Sequence, residues 1–355
     1  MTDGKLYLRP IGFLYGAAAA TSVEDGLALP LAGGPFAFTA AVLIEGNASK
    51  SQRLLFTARA LREARDNDLG TVLDRVTAPR PAFAGIAFER PVLMGIVNVT
   101  PDSFSDGGLY DTTEEAVSHA ACLASAGAGI IDIGGESTRP GSDAVERDEE
   151  LQRVLPVLEG LRGLDAVISI DTRKASVARA AAKAGATILN DVSALTYDRG
   201  CLSAAADADM SVVLMHAQGE PKTMQDNPSY ADVVIEVFDY LEGRIGACVD
   251  AGIDRARIAA DPGLGFGKTL AHNLALLANL SLLHGLGVPL LVGASRKRFI
   301  AGLGQEREPR TREPGSQAAA IAAASQGVQM LRVHDVGGTR QALGVWRAGM
   351  FGTEN

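Results

Sequence analysis

The chain has 355 residues, enough for one large core plus a smaller appendage. Apolar residues make up 47% and charged residues 21%, an ordinary globular composition that excludes extensive disorder. A net charge of −9, with no run of Lys and Arg interleaved with aromatics, excludes a general nucleic-acid surface, so an anionic ligand needs a local basic site.

The N-terminus, Met1-Thr2-Asp3-Gly4-Lys5, lacks a charged-then-apolar leader pattern. The mildly apolar stretch from Ile11 to Ala20 is too short to cross a bilayer, so no membrane partner is expected. Cys122, Cys201 and Cys248 are far apart without CxxC spacing, which suits free thiols in a cytoplasmic protein. Residues 1–88 are expected to form a small N-terminal α+β extension. Within it, Leu27 to Pro35 reads as a turn-rich connector, Phe36 to Glu45 as a strand or two, Ser51 to Arg65 as an amphipathic helix, and Thr77 to Pro81 as a linker. Nothing in these residues names a function, and capping the rest of the fold or extending an interface is the plain reading.

From about Pro91 onward, short apolar runs alternate with helical patterns, the signature of βα units around a parallel sheet. The runs are Val92 to Val97, Gly129 to Ile133, Ala166 to Ile170, Thr187 to Leu189, Ser211 to Met215, Arg257 to Ala260, Pro289 to Val292 and Gln329 to Val333. About six would satisfy a doubly wound open sheet, whereas eight close a (β/α)8 TIM barrel, expected over residues 89–355. The sequence Thr112-Thr113-Glu114-Glu115 opens the first helix and Ala126-Gly127 closes it, while Val177 to Ala184 and Gln317 to Ala324 have Ala-rich faces for close packing. The Arg-, Glu- and Pro-rich stretch from Gly302 to Gly315 reads as a solvated loop.

In such barrels the chemistry sits at the C-terminal ends of the strands. Here those ends read Asn98, Asp132, Asp171, Asn190-Asp191, Met215-His216, Asp261, Ser295-Arg296-Lys297 and Arg332-Val333-His334. One Asn or Asp leaving a strand is usually a cap, but so many together are hard to explain that way. Asp171, Asn190 and Asp261 can converge on a planar heterocycle with a guanidine-like edge. Arg332 and His334, two apart on an extended segment, face one side, and with Lys297 they suit a phosphate group. An oxygen-rich diphosphate would recruit Mg²⁺, which needs few protein ligands; Asn98 is the best single candidate. The loops Thr100 to Gly108 and Glu136 to Gly141, with Phe104, Arg139 and Pro140, suit lids over a substrate. His119, His272 and His284 lie in helical patterns away from the strand ends and read as packing or surface residues. His216 either lines the site or makes a structural hydrogen bond.

The run Met94-Gly95-Ile96-Val97-Asn98-Val99-Thr100-Pro101-Asp102-Ser103-Phe104-Ser105-Asp106-Gly107-Gly108 resembles the first signature of the dihydropteroate synthases. Asp132-Ile133-Gly134-Gly135-Glu136-Ser137-Thr138-Arg139-Pro140-Gly141 resembles the second. Ile170-Asp171-Thr172, Asn190-Asp191, Asp261 to Lys268, Ser295-Arg296-Lys297 and Arg332-Val333-His334-Asp335 resemble the others. The resemblance implies condensation of 6-hydroxymethyl-7,8-dihydropterin diphosphate with 4-aminobenzoate, a folate-forming alkyl transfer with loss of diphosphate. It further implies that Asp171, Asn190, Asp261 and Lys297 hold the pterin, with Met215 and Phe266 packed along it. Asn98, Arg332 and His334 would hold diphosphate and its Mg²⁺, and Phe104, Ser105, Asp106, Thr138, Arg139 and Pro140 the aminobenzoate. A homodimer through outer helices and a place among sulfonamide targets belong to the same implication. A pterin-dependent methyltransferase barrel and a non-catalytic pterin-binding barrel are the rival readings.

Overall fold

The structure, a computed structural model, describes residues 4–100, 113–137, 142–220, 222–304 and 308–352. Its first four strands form an antiparallel sheet: β1 (Lys5–Tyr15), β2 (Leu29–Pro30), β3 (Phe36–Gly46) and β4 (Ser51–Thr57). β3 lies between β1 on one side and β2 and β4 on the other. Phe36 to Glu45 is thus the strand expected. Ser51 to Arg65 is not one helix: its first half is β4, and only Ala58–Glu63 is helical before the separate helix Asn67–Thr77. A hairpin overrides the helical pattern. Gly46 takes a φ of +133°, Asn47 Oδ1 accepts from the N–H groups of Ser49 and Lys50 at 3.0 Å, and Ser51 comes to lie opposite Gly46. β1 pairs with β3 from Lys5↔Gly46 to Tyr15↔Phe36, and the sheet and helices bury Leu8, Leu31, Phe38, Leu61 and Val76 in a core of their own.

This extension packs against the outside of the second sheet's helices. Tyr7 Oη donates to Asp239 at 2.9 Å, Ser281 Oγ to the Pro10 carbonyl at 2.9 Å, and Tyr15 Oη to the Ser325 carbonyl at 3.0 Å. Tyr15 and Phe36 pack edge and face against Trp346 and Phe351 of the helix Val336–Phe351. Thr77 to Pro81 is less a free linker than expected. Arg80 donates to the carbonyls of Ala78 (3.0 Å) and His284 (2.9 Å), where the helix Asn67–Thr77 and the 3-10 segment Leu280–Leu286 both end. Carbonyl ends suit a cation, although burial pulls Arg80 down to about 10.

The eight apolar runs become β5 (Val92–Asn98), β6 (Ile130–Gly134), β7 (Val167–Asp171), β8 (Ile188–Asp191), β9 (Ser211–Met215), β10 (Ile258–Asp261), β11 (Leu291–Val292) and β12 (Met330–Val333). All pair in parallel, in the order β10-β9-β8-β7-β6-β5-β12-β11. The ring closes where Ala260 bridges to Leu290 and its N–H donates to the Pro289 carbonyl at 2.9 Å. That closure makes the barrel and rules out the open sheet. Inside, Met94, Ile130, Ile188, Val213, Ala259, Leu291 and Met330 form one apolar layer, with Phe83 among them. The strand period of two then fixes what lies above: Asn98, Asp132, Asp171, Asn190, Met215, Asp261 and Arg332 share the inward face.

The helices follow their punctuation, with Thr113–Ser125 before Gly127 at φ +109° and Ala175–Ala184 before Gly185 at +112°. The stretch from Gly302 to Gly315 is more ordered than a solvated loop. Its described part holds the 3-10 turn Pro309–Arg312 and the start of the helix Glu313–Ala324, and buried Arg312 donates to the Arg296 carbonyl at 2.8 Å. Cys201 and Cys248 are buried and Cys122 is exposed, all as free thiols.

Candidate active site

The mouth of the barrel is built around Arg332. Its Nε donates to Asp132 Oδ2 at 2.6 Å and its Nη2 to Asp171 Oδ2 at 2.8 Å, while Asn190 Nδ2 donates to the same Asp132 oxygen at 3.1 Å. Asp132 is fully buried, and its Oδ1 has no hydrogen-bond partner among the described residues. Burial pushes the Asp171 carboxyl up, while the Arg332 charge pulls it back and Asp132 adds to the rise. Asp261, also raised by burial and opposed by Lys297, accepts from the Gly263 N–H at 2.7 Å. Lys297 donates to the Leu264 carbonyl and stands 4.5 Å from the centre of the Phe266 ring, a cation–π contact. Burial lowers Lys297 to about 8, with Asp261 pulling the other way. Three carboxyls and two cations therefore share one pocket.

Arg332 and His334 leave the same strand end with different partners. His334 Nδ1 and Ser295 Oγ lie 2.9 Å apart, which holds the imidazole beside the seventh strand's loop. Met215 is buried at the end of β9, and its side chain lies against the inner side of Gly263. Asn98 sits opposite Gly134 in the β5–β6 register; its Oδ1 and Asp171 Oδ2 lie 3.5 and 3.8 Å from the place a Cβ on Gly134 would take. Phe104, Ser105, Asp106, Thr138, Arg139 and Pro140 lie outside the described residues.

Three comparisons bear on this pocket. A family model described as pterin binding enzyme matches residues 94–334. The dihydropteroate synthase of Escherichia coli (strain K12) is 50% identical over 268 residues, 75% of this chain and 94% of its own length. The chain belongs to the dihydropteroate synthase family. Among solved dihydropteroate synthases, that of Yersinia pestis with a sulfonamide drug has a TM-score of 0.72 at 48% identity, covering 74% of this chain and 96% of its own. The Xanthomonas albilineans enzyme in complex with 7,8-dihydropteroate gives 0.68 at 48% identity, covering 76% and 98%. The same enzyme with 4-aminobenzoic acid gives 0.71 at 51% identity, again covering 76% and 98%. Identity at this level to named synthases disposes of the methyltransferase and non-catalytic readings.

The family implies a magnesium ion at the diphosphate end of the site. Among the described residues no three His, Cys, Asp or Glu side chains gather to hold a metal. The amide oxygen of Asn98 beside Asp171 offers one hard oxygen ligand, which suits an ion held chiefly by a diphosphate and water. The donor set fits that use and no dedicated metal cage.

Asp132, in sequence only a strand end, is the common partner of Arg332 and Asn190. Its parity with Asn190 and Asp171 places it on the inward face, but its pairing with Arg332 spans 200 residues. A second feature was missed. Glu136, Glu150, Arg173 and Lys174 form a buried ion-pair network behind β7, in which Glu136 accepts from Arg173 at 2.8 Å and Lys174 at 2.7 Å. Neither GlyGlu nor AspThrArgLys has a spacing that announces such a contact. His216 takes the structural reading: its Nδ1 faces Lys268 Nζ at 2.9 Å, and its ring packs on Tyr240 and Tyr230. His272 caps its own helix with Thr269, and His284 is buried with Nε2 on the Gln326 carbonyl at 2.8 Å. His119 is half-buried in its helix.

Proposed function

We propose that this enzyme condenses 6-hydroxymethyl-7,8-dihydropterin diphosphate with 4-aminobenzoate to give 7,8-dihydropteroate and diphosphate, in the cytoplasm and as a homodimer. The observation that carries the reading is the ring of Asp132, Asp171, Asn190, Asp261, Lys297 and Arg332 above an apolar floor. Carboxylates and an amide oxygen accept from the pterin's ring N–H and amino groups, and Lys297 donates to its carbonyl. The buried Asp132 Oδ1 gains a donor when such an edge arrives. Met215 and Phe266 cover the ring faces.

In this reading the exocyclic C–O bond breaks as diphosphate leaves, and the arylamine nitrogen forms the new C–N bond and releases a proton to diphosphate or solvent. Arg332 and His334 stabilise charge on the departing oxygens, and Asp171 stabilises positive charge spread over the methylene carbon and ring. Bound Mg²⁺ would supply further charge neutralisation at the diphosphate, with Asn98 as its protein ligand. Phe104, Ser105, Asp106, Thr138, Arg139 and Pro140 complete the aminobenzoate subsite and exclude water. No helix among the described residues is long and apolar enough to cross a membrane, which is compatible with the cytoplasmic setting. The test is turnover of the dihydropterin diphosphate against a panel of arylamines. Selective dihydropteroate formation with 4-aminobenzoate is expected, and equal turnover of all amines or of none contradicts the reading.

A further inference from the structure

The loop after β10 leaves from Asp261 at the strand's end and carries Leu264 and Phe266, yet it has no regular structure of its own. Instead, five successive carbonyls in it are each taken by a side chain. Lys268 Nζ donates to Gly263 at 2.9 Å and Phe266 at 3.0 Å, Lys297 to Leu264, Gln225 to Gly265 at 2.7 Å, and Tyr230 to Gly267 at 2.8 Å. Lys268 takes two of the five and is 3% exposed. The same ammonium reaches the His216 carbonyl at 3.2 Å and His216 Nδ1 at 2.9 Å, so it ties the β10 loop to the end of β9. The backbone is close there: Gly263 (φ +66°) lies against the His216 carbonyl and Gly267 (φ +63°) against that of Gln218, with no room for a Cβ at either.

We propose that Lys268 is a positioning residue for the pterin site, a fixed internal cation that holds the Leu264 carbonyl and the Phe266 ring where together they aim the Lys297 ammonium into the barrel mouth. The chain of contacts is short. Lys297 bonds the Leu264 carbonyl and sits over Phe266, and both belong to the segment whose flanking carbonyls Lys268 gathers. An ammonium suits this post because it has three donors and no acceptor, and every group around it accepts. His216 Nδ1 must then be unprotonated, consistent with burial and the Lys268 charge driving that imidazole down to about 3. The charged groups around Lys268 are Lys297, which opposes its protonation, and Asp261, which favours it; burial brings it down to about 7. Its carbonyl partners favour the charged form.

The inference rests on the proposed activity, which the wild-type protein tests alone; comparison among variants tests the role of Lys268. In the full-length enzyme, Lys268→Met is expected to lower kcat/KM for the pterin substrate by about 10- to 100-fold. Much of that loss should vanish in a Lys297→Met background, because Lys268 acts through Lys297. A purely structural lysine would lower Tm and give losses that multiply in the double variant; multiplicative losses, or a wild-type kcat/KM in Lys268→Met, overturn the proposal. If Lys268→Met does not fold, His216→Phe and His216→Gln replace it. The Phe variant removes the acceptor and keeps the aromatic packing, so kcat/KM should fall several-fold, whereas Gln, which can still accept, should restore it. Equal activity in those two variants also overturns the proposal.

Discussion

Replacing Lys297 with Met separates what this residue does for binding from what it costs the fold. Burial lowers Lys297 to about 8 from an ordinary 10.5, so the folded state holds the proton less well than the unfolded chain. Such a depressed cation destabilises the fold fully below pH 8, and the penalty fades as pH rises from 8 to 10.5. The shift, with the Asp261 attraction already within it, corresponds to about 3 kcal/mol, and since the methionine leaves the Leu264 carbonyl without its donor, the net gain for Lys297→Met at pH 7 is about 1–2 kcal/mol. Function changes the other way. A charge-assisted hydrogen bond to substrate is worth about 1.5–3 kcal/mol, or a loss of roughly 10- to 150-fold in kcat/KM. The assay is urea denaturation at pH 7 and pH 10 together with kcat/KM from pH 6 to 9.5. Wild-type kcat/KM should decline as pH rises through 7 to 8, where first Lys268 and then Lys297 lose their protons, and the variant should be low and free of that decline. A variant that is less stable at pH 7, or that keeps the wild-type decline between pH 7 and 8, is incompatible with these two roles of Lys297.

Arg332→Met should cut turnover by about 10²–10³-fold, since charge stabilisation of the leaving diphosphate is lost. Because Arg332 also neutralises Asp132 and Asp171 and is 21% exposed, it should lower stability by about 2–4 kcal/mol, read by urea denaturation. Gly263→Ala should cost more than about 2 kcal/mol and abolish pterin binding, because a Cβ there meets the His216 carbonyl at a positive φ; unaltered Tm and binding would speak against the loop geometry. Arg80→Met should destabilise the seam between extension and barrel by about 1–2 kcal/mol and leave kcat unchanged, a pairing that thermal melts and steady-state rates check together.

The barrel was legible because its strands are short apolar runs with polar ends, and a period of two carries Met94, Ile130 and Met330 inward along with Asn98, Asp132 and Arg332. The extension was harder to read. β4 is exposed nearly throughout, and Leu54 and Leu55 face solvent at 45% and 69%, so no burial pattern marks it as a strand. Only the Gly46-Asn47 turn does. β1 was hidden because Gly12 and Pro10 interrupt it, and its pairing with β3 lies more than 20 residues away in sequence. At the site, residue types pointed to pterin and diphosphate, but which groups pair with which depends on contacts across the barrel. Asp132 with Arg332 and His216 with Lys268 are 200 and 52 residues apart, beyond any local signal.

Coupled condensation is read by mixing the enzyme, Mg²⁺ and the dihydropterin diphosphate with and without 4-aminobenzoate and following diphosphate and dihydropteroate together. Diphosphate release that depends on the amine and matches dihydropteroate one for one is the result predicted. Diphosphate release without the amine at the same rate, or pterin binding with no dihydropteroate formed, would contradict it.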